Sequence, residues 1–116
     1  MANSAGTPTI VQARTQFQGA FDNMWTVKAT ITDSDAITAT DTMRIALTVP
    51  GVALGDMVIG RSITNDLSDG TDQCIFDAYV TAADTVNLQF TADVGAYADN
   101  DLTNAVVRLL IVRPTW

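Results

Sequence analysis

Trp25-Thr26-Val27-Lys28-Ala29-Thr30-Ile31-Thr32 alternates apolar and polar residues without a break. That period of two belongs to a strand with one face buried and one face wet, and Trp, Val, Ile and Thr are the residues that fit such a surface. Working outward, Met43, Ile45, Leu47 and Val49 alternate with Thr42, Arg44 and Thr48, and Pro50-Gly51 stops the run. Proline gives up a ladder donor there, and glycine accepts turn geometry. After the turn Leu54-Gly55-Asp56, Met57 to Ile63 reads as a third strand with Gly60 as a bulge. Cys74 to Thr81 and Thr85 to Thr91, joined by Ala82-Ala83-Asp84, read as a β-hairpin. Ala105 to Val112 is apolar except for Arg108, which predicts a strand buried on both faces, inside a sandwich or between subunits.

Asp33-Ser34-Asp35, Asn65 to Gln73 with its Asp69-Gly70, and Ala92 to Asn104 supply the intervening turns and loops. Six strands, turn signals every 8–12 residues or so and no helical period predict an all-β fold, a β-sandwich or a jelly-roll-like small barrel. Residues 1–23 are polar and small with scattered apolar positions, so they are expected to form an extended N-terminal arm, with the β-sandwich domain at 24–116.

With 116 residues the chain is long enough for one domain. Charged residues make up only 16%, against about 25% in an ordinary soluble domain. A small domain has much surface, so this deficit predicts that neighbouring subunits cover part of it, and a homo-oligomer is expected. The net charge is −7, every acid is Asp, and Lys28 is the single lysine. No basic run is present, which argues against direct nucleic-acid binding and against a polybasic membrane anchor. No apolar run approaches the ~20 residues of a membrane helix. The first residues have neither a charged region nor an apolar core, so no signal peptide is expected, and synthesis in a cytoplasm is.

The chemistry-bearing residues are sparse. Histidine is absent, which removes the usual neutral-pH base and the commonest metal ligand, and function is expected to be insensitive to mild acid. The lone Cys74 sits in the apolar run Cys74-Ile75-Phe76 and reads as a small buried hydrophobe. Neither a phosphate-binding P-loop nor a dinucleotide fingerprint is written in the chain. The Asp pairs 33/35, 69/72 and 99/101 lie in turn-like stretches, where Asp caps backbone groups. Asp99, Asn100, Asp101 and Asn104, and then Asp66, Asp69 and Asp72, are the oxygen-rich sets nearest to a calcium loop, but neither has EF-hand spacing. No catalysis, no metal and no cofactor are expected. Trp25, Tyr79, Tyr97 and Trp116 are the aromatic residues a sugar-binding face would draw on; Trp25 reads as core, and Tyr97 and Trp116 are the freer ones. Ile10, Val11, Phe17 and Phe21 in the arm, with Trp116, are the candidate partner-binding residues. The arm is expected to contribute binding rather than folding, because ordering it needs contacts that a partner supplies.

The stretch Val49-Pro50-Gly51-Val52-Ala53-Leu54-Gly55-Asp56-Met57-Val58, then Tyr79-Val80-Thr81-Ala82-Ala83-Asp84-Thr85-Val86, then the Asp/Asn loop before the last strand, resembles a cassette of small tailed-phage virion proteins of the capsid decoration (cement) type or tail-associated type. The resemblance spans Thr48 to Val112. The sequence departs from the pattern at Thr91-Ala92-Asp93-Val94-Gly95, where an Asn-Thr-Gly-like turn is usual. It implies a β-sandwich on the exterior of a capsid, often a homotrimer, clamping neighbouring units of the major capsid protein. A tail, baseplate or fibre subunit, and a carbohydrate- or ligand-binding β module, stay open as alternatives.

Overall fold

The computed structural model describes residues 3–13, 20–33, 42–69, 72–92 and 102–116. The alternation at Trp25 becomes the strand β3 (Phe21–Asp33), with Trp25, Val27, Ala29 and Ile31 buried and Thr26, Lys28, Thr30 and Thr32 exposed. Eight more strands are present among the described residues: β1 (Ser4–Ala5), β2 (Thr9–Ala13), β4 (Thr42–Thr48), β5 (Met57–Ile63), β6 (Ser68–Asp69), β7 (Asp72–Ala82), β8 (Thr85–Ala92) and β9 (Val106–Pro114). They build two antiparallel sheets. One runs β1-β3-β9-β5, with β2 also on β3; the other runs β4-β8-β7-β6. The two sheets share one core, a β-sandwich, as the period-two runs predict.

Each sheet contributes its inward rows to that core: Val107, Leu109 and Ile111 of β9 in the first, Val86, Leu88 and Phe90 of β8 in the second. Phe76 and Phe90 are direct cross-strand partners, and their rings stack with centroids 4.8 Å apart. Trp25, Phe90 and Leu88 are among the largest fully buried side chains, so these three anchor the packing. The expected bulge is found: the β5–β9 register shifts between Val58 and Gly60. The expected hairpin is β7–β8, its connection tightened to Ala83-Asp84, with Asp84 in the left-handed region at φ 59° that a short Asx side chain tolerates.

Two features go beyond the sequence expectation. Of the expected arm, the described residues Ser4–Ala5 and Thr9–Ala13 form strands of the first sheet. β1 and β2 pair along the free edge of β3, Gly6 N–H bonds Thr30 O at 2.6 Å, and β3 itself begins at Phe21. The edge of a 13-residue strand carries a row of backbone donors and acceptors, and the early residues satisfy them. Their strand character hides in the sequence because Gly6-Thr7-Pro8 splits the edge into two short pieces.

β9 is not buried on both faces. It is the central strand between β3 and β5, with Val107, Leu109 and Ile111 inward; on the outer row Val112 is covered, Val106 and Leu110 are half-buried, and Arg108 is exposed. The turns expected at Ser34-Asp35 and 93–101, and the tip at Gly70, lie outside the described residues.

Candidate interaction site

A cluster of hydrogen-bonded polar side chains sits at one end of the sandwich. Three turns meet there: Pro50-Gly51, Leu54-Gly55 and Ala83-Asp84. Asp84 accepts from Gly51 N–H at 2.8 Å and donates its own N–H to Val52 O at 2.9 Å. The buried carboxylate of Asp56 accepts from Ala53 N–H at 2.9 Å. Arg113, from β9, forks onto the same carboxylate, bonds Gly51 O at 2.8 Å and lies over the Trp25 ring at 5.2 Å. The hydrogen bonds to Asp56 hold the Arg113 guanidinium above its ordinary pKa. Every member has a structural partner, so this cluster is a clasp joining turns to β9 rather than a reactive centre.

The sequence-chosen binding residues fall into different settings. Phe21 and Trp116 are brought together, ring centroids 6.2 Å apart and tilted by 42°. The pairing of β3 with β9 does this by setting Phe21 opposite Pro114, and Thr115 N–H closes the corner onto Ala20 O at 3.0 Å. Ile10 is half-buried and packs against the core from β2, so it serves folding. Val11 pairs through its backbone with Thr26. Phe17 lies outside the described residues.

Strand pairing also creates a feature that sequence reasoning missed. Lys28 of β3 stands directly opposite Arg108 of β9, and Ser62 of β5 opposite Arg108 on the other side. Thr9 of β2 completes the row beyond Lys28. Both cations are exposed on the outer face of the first sheet. The next row holds Thr26, Leu110 and Gly60. A Cβ on Gly60 would lie 3.5 Å from Leu110 Cβ, so the missing side chain opens a hollow beside Leu110. A groove of about 530 Å³ runs over these positions, with Lys28, Gly60, Arg108 and Leu110 in its lining. Arg61 lines it too, but its Nε donates to Phe76 O at 3.1 Å and its guanidinium lies 3.8 Å from Asp77, across the seam to the second sheet. No signal in either strand alone announces this site; it exists only through the register of two strands far apart in the chain.

Cys74 is buried, and burial pushes its thiol up to about 11, against a smaller opposing effect of a backbone hydrogen bond with Thr91. It is a poor nucleophile at neutral pH. Among the described residues no cluster of three metal-ligating side chains occurs, and Asp99, Asn100, Asp101 and Tyr97 lie outside them. No family model, no curated protein and no solved structure matches the chain.

Proposed function

We propose that this chain is a non-enzymatic structural subunit of a virus or phage particle, a capsid decoration (cement) protein. In this reading it assembles as a homotrimer on the capsid exterior, is made in the host cytoplasm, and binds across joints between units of the major capsid protein. The observation that carries the reading is the apolar surface. Leu54, Ile59, Ile75, Tyr79 and Trp116 are 72, 47, 59, 42 and 79% exposed on a domain with few charges to keep such surface wet. Association would cover it. A rigid two-sheet body suits the task, since its faces keep their shape while the shell beneath is strained.

Cement acts by adding contact area across a joint that would otherwise open. An interface of about 1,600 Å² suffices for specific attachment, and repetition around a symmetric shell multiplies the effect. The cassette from Val49 to Val58, which resembles decoration-type virion proteins, forms the Pro50-Gly51 and Leu54-Gly55 turns of the clasp and leaves Leu54 exposed between them.

The test is quantitative peptide mass spectrometry of purified particles that encode the chain. Copies in the hundreds, released from the head by mild denaturant while the shell remains, are expected. A few copies confined to tails would favour a tail subunit, and complete absence from particles would overturn the reading.

A further inference from the structure

We infer that the Lys28–Arg108 groove is a docking site for an extended acidic segment of a partner protein, one that presents a carboxylate and, two residues along, an apolar side chain. This rests on the reading of the chain as an attachment protein and names the chemistry of what it attaches to.

Like charges placed directly opposite each other on neighbouring strands destabilise a sheet. Lys28 and Arg108 stand in that relationship, and neither ion-pairs with a carboxylate among the described residues. Their row neighbours Thr9 and Ser62 are neutral, so nothing in the row offsets the repulsion. Elsewhere the chain is rich in acid: thirteen Asp against six Lys and Arg. Two adjacent cations on so acidic a chain form a local positive spot that an incoming carboxylate would neutralise.

The floor of the groove selects among anions. Leu110 lies two residues beyond Arg108 on the same outer face, and the hollow over Gly60 is beside it. Successive same-face positions on a strand are about 6.6 Å apart. An extended segment with Asp or Glu followed at the second position by Leu, Ile or Val therefore sets its carboxylate over the cation pair and its apolar side chain in the hollow. A nucleic-acid backbone satisfies only the first half of this pattern, since it offers no aliphatic side chain to the hollow beside Leu110.

The probes are blocked pentapeptides, Thr-Asp-Thr-Leu-Thr with Asn-for-Asp and Ser-for-Leu controls, titrated into the isotope-labelled full chain and followed by amide chemical shifts. The Asp–Leu peptide is expected to move the amides of Thr26, Lys28, Ser62, Arg108 and Leu110, and each control to bind at least tenfold more weakly. Lys28→Thr/Arg108→Thr should lose the same tenfold while folding normally, since it relieves a repulsion. Gly60→Val is the second variant and should weaken the Asp–Leu peptide while leaving the Ser control unchanged. Shifts elsewhere, equal binding of the Asn peptide, or stronger displacement by a single-stranded oligonucleotide would each overturn the inference. Attachment to particles separates the two readings. If the wild-type chain attaches and the Lys28/Arg108 variant attaches equally well, the groove inference fails and the structural role stands. If the wild-type chain attaches to no particle, the structural role fails and the peptide titration still decides the groove.

Discussion

Arg113 and Asp56 meet as a two-pronged pair, with Nε donating to Oδ1 and Nη2 to Oδ2, both at 2.9 Å. The carboxylate is buried and the guanidinium half-buried, so the pair is shielded more than a surface ion pair is. It ties the turn after Gly55 to the central strand of the first sheet. Asp56→Ala is expected to lower stability by about 1.5–3 kcal/mol, the range for hydrogen bonds to charged groups. Arg113→Lys keeps the charge but not the fork, and should cost roughly half as much. Urea unfolding followed by tryptophan fluorescence measures both; unchanged midpoints would show that the clasp adds nothing.

Two glycines separate backbone need from space. Gly51 has φ 96°, and a Cβ there would lie 3.5 Å from the Trp25 ring, an ordinary contact. The cost of Gly51→Ala is therefore conformational, about 1–2 kcal/mol. At Gly60 the backbone needs no glycine, and an added methyl would make an ordinary contact with Leu110. Gly60→Ala should leave the melting temperature within a degree or two, since a strand position gains from losing glycine. Thermal melts of the two single variants check the contrast, and equal losses would refute it.

The two tryptophans should report different surroundings. Trp25 is fully buried, and its Nε1 has no hydrogen-bond partner among the described residues, whereas Trp116 is largely exposed. Acrylamide is expected to quench only the Trp116 part of the emission, leaving a blue-shifted remainder. Trp116→Phe should then be almost unquenchable in the isolated chain. Strong quenching of that variant would mean that the core opens readily.

Removing residues 1–19 should weaken folding. β1 and β2 hydrogen-bond along β3, and Ala5 and Ile10 pack on the core. Losing this edge and the partly buried Ile10 should cost about 2–4 kcal/mol. The readout is the melting temperature of the truncated chain. An unchanged value would restore the first residues to the role of an arm that only binds.

Alkaline pH should act through Cys74. Its thiol is raised from 9.0 to about 11 in the folded chain, chiefly by burial. A pKa raised on folding contributes stability that is complete below the unfolded value and is lost as pH climbs through the folded one. Between about pH 9 and 11 the wild type should therefore lose up to about 2 kcal/mol more than Cys74→Ala. Parallel melting curves would expose an absence of this difference. Between about pH 5.5 and 7.5 both proteins should be flat, since there is no histidine to titrate.

How far the sequence disclosed this molecule depended on whether a feature lies within a strand or between strands. The alternations through Trp25, Ile45 and Leu88 each became a strand with the expected inward face, because period two and burial are local properties. β1, β2 and β6 leave no such signal: edge strands of two to five residues carry too few apolar positions to show a period. β9 read as doubly buried because Val106 and Leu110 are apolar, yet the outer face of its sheet is left half-open. Phe21 and Trp116 were legible singly, but their contact was not. The Lys28–Arg108 pair was invisible for the same reason: cross-strand register is set by the whole sheet.

The position of β9 has a consequence for how the domain is made. β3 and β5 are neighbours in the sheet only through β9, which is the last strand of the domain to leave the ribosome. The second sheet, contained within residues 42–92, can pair while synthesis continues. β3 must instead wait through the translation of more than seventy further residues before its central partner emerges. Closure of the first sheet is thus tied to the completion of the domain, and until then its apolar inner row is a surface for chaperones to hold.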